Sequence, residues 1–118
     1  MTLAQIVKIL DGDFLSSRDH RQKQVHTGCG CDLMSDVLAF IKPNALLLTG
    51  LTNAQVIRTA EMADVKAICF VRGKKPGGEV IALADEKDIA LLATSLPLFE
   101  ACGRLYREGL AGCSEYEG

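Results

Sequence analysis

Arg72-Gly73-Lys74-Lys75-Pro76-Gly77-Gly78 is the stretch whose residue types most suggest chemistry. Gly73 and Gly78 stand five apart, like the two glycines of a phosphate-cradling loop, and three cations lie beside them. A loop that works on phosphates needs Lys and then Ser or Thr directly after the second glycine, for the β/γ-phosphates and Mg²⁺. Glu79 and Val80 occupy those places. A carboxylate repels phosphate and valine cannot ligate magnesium, so phosphoryl transfer is excluded. Two readings stay open: a solvated turn in which Pro76 and Gly77 re-aim the chain, and a weak anion or nucleotide site. Thr49-Gly50-Leu51-Thr52-Asn53 repeats the situation, with small hydroxyls, an amide and a flexible backbone after an apolar run. It is either strand, turn and helix cap or the other wall of a shared crevice. Thr49, Gly50, Thr52, Asn53, Arg72, Gly73, Lys74 and Lys75 are therefore the candidate ligand-binding residues.

Thiols and carboxylates offer less. In "HTGCGC", Cys29 and Cys31 share a strand face, so both can meet one metal or cluster, whereas His26 points to the other face. Two ligands leave half a tetrahedral shell empty, and nothing in "SSRDHRQKQ" demands that His20 fold back to help. The expectation is that Cys29 and Cys31 hold no metal, and that Gly30 lets a neighbouring backbone or helix come close. Cys69, within "AICFV", reads as a small core residue, and Cys102 and Cys113 show no motif spacing. No Ser-His-Asp or Cys-His pairing has a supporting frame. Asp32 and Asp36 read as a helix cap and a solvated helix residue rather than a working carboxylate pair. The sequence predicts no catalytic residue, no enzyme activity and no cofactor.

The elements that must position these residues follow from periodicity. The spacing of Leu3, Ile6, Val7 and Leu10 predicts a helix over 2–10, capped by Thr2 and stopped at Asp11-Gly12-Asp13. Residues 16–24 read as an exposed polar loop, and "VHTGCGC" as a short irregular strand. A helix over 32–41, capped by Asp32, should bury Leu33, Val37, Leu38 and Ile41 and end at Lys42-Pro43. Then comes a strict alternation. Strands are expected at 45–50, 66–73 and 89–94, and helices at 53–64, 78–87 and 96–110, the last with a proline in its first turn and Gly109 at its end. Such alternation predicts a single α/β domain, layered helix–sheet–helix around a mainly parallel sheet, with ligands outside the carboxyl ends of the strands.

Composition narrows the classes. A chain of 118 residues is one domain, and 48% hydrophobic residues with no Trp call for an aliphatic core. A net charge of −2 without a run of like charges gives no footprint for nucleic acid. The opening "MTLAQIVKIL" is too short and too interrupted for a signal peptide or membrane span. Five cysteines without framework spacing suit a cytoplasmic protein with reduced thiols.

"GCDLMSDVLAF", "ALLLTGLTNAQVIRTAEMADVKAICFVRGKKP" and "LPLFEACGRLYREGL" resemble the DRTGG-domain family, and in particular its short stand-alone members in anaerobic bacteria. The likeness runs from about residue 3 to about 110, leaving 111–118 as a short tail. It is most specific over Asp32 to Ala39 and Arg72 to Pro76. The letters that name the family are not kept: their places fall near Leu51-Thr52 and Val71-Arg72-Gly73. The resemblance implies a regulatory or dimerisation module rather than an enzyme. Relatives accompany CBS domains in some pyrophosphatases, are fused to phosphotransacetylases, and are similar to the non-catalytic N-terminal domain of HPr kinase. It also implies a homodimer, which the size of the domain and its apolar helix faces favour. A nucleotide or other anionic metabolite is the implied ligand. Because stand-alone relatives are often encoded beside iron-only hydrogenase and NADH-linked electron-transfer genes, a hydrogenase or electron-transfer partner is the alternative, with Cys29 and Cys31 in a redox accessory role.

Overall fold

Ala45–Thr49 is buried at every position, as a continuous apolar run must be when helices cover both faces of its sheet. The structure, a computed structural model, describes residues 1–115; residues 116–118 of the expected tail lie outside the described residues. In chain order the elements are α1 (Leu3–Leu10), β1 (Asp13–Phe14), β2 (Thr27–Gly30), α2 (Met34–Phe40), β3 (Ala45–Thr49), α3 (Ala54–Met62), β4 (Ala67–Phe70), α4 (Gly78–Glu86), β5 (Ala90–Ala93), α5 (Leu98–Arg107) and β6 (Ala111–Gly112), followed by a 3-10 turn over Cys113–Glu115. The sheet order is β1-β5-β4-β3-β2-β6, antiparallel only where β1 joins β5. The expected three-layer α/β domain with a mainly parallel sheet is what the chain forms.

Chain direction explains the layers. From β2 to β5 each strand lies beside its predecessor, and α2, α3 and α4 all cross one face, as right-handed crossovers in a constant direction require. After β5 the chain reverses. α5 therefore returns over the opposite face, beside α1, and places β6 next to β2. Alternate strand residues feed two cores. Leu46, Leu48, Cys69, Val71 and Leu92 meet Leu3, Ile6, Ala101 and Leu105 under α1 and α5. Leu47, Ile68, Phe70 and Leu91 meet Val37, Val56, Ile57, Val80 and Ala84 under the other helices.

Local signals held in part. Thr2 caps α1 in a reciprocal box: its hydroxyl accepts from Gln5 N–H, and the Gln5 side chain accepts from Thr2 N–H. At the other end Asp11, not Gly12, takes the left-handed conformation (φ 49°). Gly12 is needed for another reason: a Cβ there would lie 2.5 Å from Ala93 O. Pro97 sits at the N-cap of α5 rather than in its first turn, and Gly109 (φ 106°) follows the helix end as expected. Two corrections concern α2. It begins at Met34 with Leu33 as its N-cap, so Asp32 does not cap it. Its buried residues are Met34 and Val37, while Leu33 and Leu38 are exposed. The two-residue strands β1 and β6 have no counterpart in the sequence pattern, being shorter than any period. β6 occupies the start of the expected tail.

Candidate functional site

The carboxyl ends of β2, β3, β4 and β5 share one edge of the sheet, and the loops that follow them form one rim. Adjacent strands in a ladder are roughly 4.8 Å apart, so "TGLTN" after β3 and "RGKK" after β4 are direct neighbours. Val71 N–H donates to Thr49 O (3.1 Å) and ties the two loops together. All eight candidate residues therefore stand on this rim, though with unequal access. Thr49 is fully buried, Gly50 and Thr52 are half-buried, and Asn53, Arg72, Gly73, Lys74 and Lys75 are exposed.

The amides of Gly50, Leu51, Arg72, Gly73 and Lys74 are engaged within the chain. Arg72 and Gly73 both adopt positive φ (57° and 70°), which turns their N–H groups toward the β5 end, where they donate to Leu96 O (2.8 Å) and Thr94 O (2.9 Å). Lys74 N–H donates to Val71 O (3.1 Å). Gly50 N–H donates to Asp32 Oδ1 (2.8 Å), and Leu51 N–H to Thr49 Oγ1 (3.2 Å). Unlike the nest of a phosphate loop, this rim offers its charge through side chains.

Asp32 is the rim residue that sequence reasoning misplaced. From the end of β2, its Oδ1 accepts both the Gly50 amide and the Thr49 hydroxyl (2.7 Å). Thr49 is a hydroxyl in an otherwise apolar buried strand, and such a group must find a partner. That requirement was the available signal. Thr94 does the same work at the end of β5, donating to Leu10 O (2.7 Å) and accepting from Leu96 N–H (3.2 Å).

The N-termini of α3 and α4, which follow these two loops, differ in electrostatics. The Glu79 carboxylate folds back over Gly77, its oxygens 2.9 Å from where a Gly77 Cβ would sit, so the α4 N-terminus already faces a carboxylate. α3 carries no acidic residue in its first turn, and its N-cap Asn53 makes no side-chain cap bond. Its positive end is thus the one open to an added anion, with Arg72, Lys74 and Lys75 on the adjoining loop.

Cys29 and Cys31 lie on the β2 face that meets α2 and α3, as their spacing predicts. Burial first, then the neighbouring Cys113, Cys31 and Cys102 thiols, pushes the Cys29 thiol up to about 11. The Cys31 thiol donates to Leu33 O (3.4 Å). Among the described residues, no group of three or more His, Cys, Asp or Glu side chains is arranged to hold a metal ion. No helix among them is long and apolar enough to cross a membrane.

Fold and rim together define a small open-sheet α/β module with its polar edge at the carboxyl ends of the parallel strands. The chain belongs to the DRTGG-domain family, whose model matches residues 5–107. Among solved structures it is similar to the CBS and DRTGG domains of the regulatory region of Clostridium perfringens pyrophosphatase, complexed with the activator diadenosine tetraphosphate. The TM-score is 0.69 at 17% identity, over 96% of this chain and 49% of that one. The chain thus spans about half the length of that structure, and the likeness is one of fold. No curated protein gives a match.

Proposed function

We propose that this domain is a non-catalytic regulatory module that dimerises and senses a nucleotide or another anionic metabolite at the rim formed by residues 49–53 and 72–75. The observation that carries the reading is the exposed trio Arg72, Lys74 and Lys75 beside an α3 N-terminus with no acid of its own. Family membership supports a regulatory role, and the similar pyrophosphatase regulatory region, solved with diadenosine tetraphosphate, supports a nucleotide as ligand. Three solvated cations on a loop bind an anion weakly and lose to salt, because exposed charges are screened over about 8 Å at physiological ionic strength. A low-affinity, salt-sensitive sensor is the corresponding behaviour.

Calorimetric titration with AMP, ATP and diadenosine tetraphosphate tests this. At least one should bind and raise the melting temperature, since a ligand held only by the folded state stabilises it. Changing Arg72, Lys74 and Lys75 together to alanine should abolish binding and leave the melting temperature of the free protein unchanged, because all three are exposed. Unchanged binding by the triple variant would refute the rim; no binding by the natural protein at millimolar ligand would refute sensing.

A further inference from the structure

Cys113 stands half-buried just past the last strand of the sheet, and like the other cysteines it is a free thiol. β6 runs parallel to β2, with Ala111 opposite Thr27 and Gly112 opposite Gly28. One step further along the same register sets Cys113 against Cys29. The side chains agree on the face. Thr27 and Cys29 are two apart on β2 and so point to one side of the sheet. The Cys113 thiol donates to Thr27 Oγ1 (3.5 Å) and lies 3.9 Å from Gly28 O, which brings it to that side. Of the thiols that act on Cys29, Cys113 weighs most.

Distance separates this pairing from the others. Neighbouring strands lie about 4.8 Å apart, inside the roughly 4.4–6.8 Å that a disulfide spans between Cα atoms. Cys31, two residues along the same strand, is about 6.7 Å from Cys29, at the limit of that span. Its thiol is turned to Leu33 O. Cys102 packs on the opposite face of the sheet, against Gly30, and Cys69 is buried in that same core. At Cys113 the chain leaves the ladder for a 3-10 turn, so a small backbone rotation there can bring its sulfur to bonding distance of Cys29.

We propose that Cys29 and Cys113 are a modification site, a thiol pair that a low-molecular-weight disulfide oxidises to an intramolecular bond between β2 and the edge strand β6. Burial keeps Cys29 in its thiol form at neutral pH, so the exchange starts at Cys113 on the edge. The Cys113 thiolate attacks one sulfur of the small disulfide and expels one small thiolate. Cys29 then gives its proton to solvent, and its sulfur attacks the mixed disulfide on Cys113, expelling the second thiolate. Two protein thiols are oxidised and one small disulfide is reduced to two thiols, so electrons balance. The consequence falls on a weak edge. Two ladder residues hold β6 to β2 in the reduced chain, and such an edge opens readily. The bond closes a loop of roughly 85 residues, and loops of that length are the ones whose closure most constrains the unfolded chain.

The test exposes the reduced protein to millimolar oxidised glutathione in native buffer, then alkylates the remaining thiols and maps the peptides by mass spectrometry. The expected product is a monomeric chain with a Cys29–Cys113 bond, a melting temperature raised by at least about 5 °C, and full reversal by dithiothreitol. Cys31→Ser and Cys102→Ser should form the same bond. Cys29→Ser should stop at the first step and carry glutathione on Cys113, an adduct that a merely structural role for Cys29 would not produce. Melting of each reduced variant confirms that it is folded, and the mapping of the natural protein stands whether or not a variant folds. A bond joining any other pair, a bond between chains, or five alkylated thiols after exposure would overturn the site. A Cys29–Cys113 bond that left the melting temperature unchanged would overturn its role as a clasp on the edge.

Discussion

Asp32 joins the ends of two strands through a single carboxylate oxygen, and a substitution there should be felt well beyond its own exposed position. Asp32→Ala removes the acceptor of the Thr49 hydroxyl and of the Gly50 amide, and leaves a buried hydroxyl with no partner on that side. Hydrogen bonds to a charged group contribute about 1.5–3 kcal/mol each, reduced by exposure to water, so a loss of about 2 kcal/mol in urea unfolding is expected. Asp32→Asn keeps an acceptor oxygen and should lose less than half of that. A change below about 0.5 kcal/mol for alanine would refute the role, since surface substitutions of no consequence fall in that range. The aspartate was visible in the sequence, and so was the polar residue in the buried strand. Their pairing was not, because an Asp before an apolar helical pattern satisfies the rule for a cap equally well. Only the arrival of Thr49, from a different strand, decides which donors the carboxylate meets.

Among the elements, α5 and β2 fit through absent side chains. A Cβ on Gly30 would lie 2.6 Å from Cys102 Sγ, closer than real contacts allow, and a tight 3.2 Å from Leu98 Cδ1. Gly30→Ala should therefore push α5 outward and destabilise the domain by about 1–3 kcal/mol, as overpacking does. Gly30→Ala combined with Cys102→Ala should recover most of the loss in a thermal melt, and no recovery would place the strain elsewhere. Central strands and their helices were legible because burial on both sides leaves long apolar runs. Their junctions were partly legible as well. Asn44, Asp64 and Asp88 each adopt positive φ just before β3, β4 and β5, a conformation these short polar residues tolerate better than most. What stayed hidden is which face of a short helix turns inward. α2 has seven residues, and its start at Met34 instead of Asp32 rotated the buried stripe from Leu33 and Leu38 to Met34 and Val37.

At the scale of the whole molecule, residues 15–24 close one side of the fold. Leu91 N–H donates to Ser16 Oγ (2.8 Å), Ser17 Oγ to Asp85 Oδ2 (2.7 Å), and Lys23 Nζ to Asp88 O (2.9 Å). Arg18 pairs with Asp88 at 3.3 Å. The opposite end of the segment accepts the first amides of α1, Leu3 N–H on Lys23 O and Ala4 N–H on Arg21 O. Beneath it His20 is buried, and its Nε2 and the Asp85 Oδ1 lack hydrogen-bond partners among the described residues. Burial first, then Lys23 and Arg18, hold the imidazole below its ordinary value of 6.5, against the opposing pull of Asp88 and Asp85. The unfolded chain therefore takes up this proton at a higher pH than the folded one. Stability from this group is complete above about pH 7 and is lost as pH falls below about 6.5. Urea unfolding at about pH 7.5 and about pH 5.5 should show that loss, and His20→Asn should flatten it. The Asp19 carboxyl, held at about 2 by its hydrogen bonds from Arg21, does not titrate in this window. An identical slope with and without His20 would refute the assignment.

The sequence by itself determined the class of fold, the order of its central strands and helices, and the edge on which its polar loops gather. Each of these follows from periodicity and from the handedness of crossovers, which are properties of neighbouring residues. Tertiary structure alone decided that the amides of Gly50 and of residues 72–74 are engaged, that Asp32 clamps Thr49 and Gly50, and that His20 is buried in a segment of otherwise polar letters. It alone decided, too, that the Cys113 thiol meets Thr27 on the face that carries Cys29. The physical reason is common to all four. A hydrogen-bond partner or a covering surface is supplied by residues distant in the chain, and no local pattern records which distant residue will arrive.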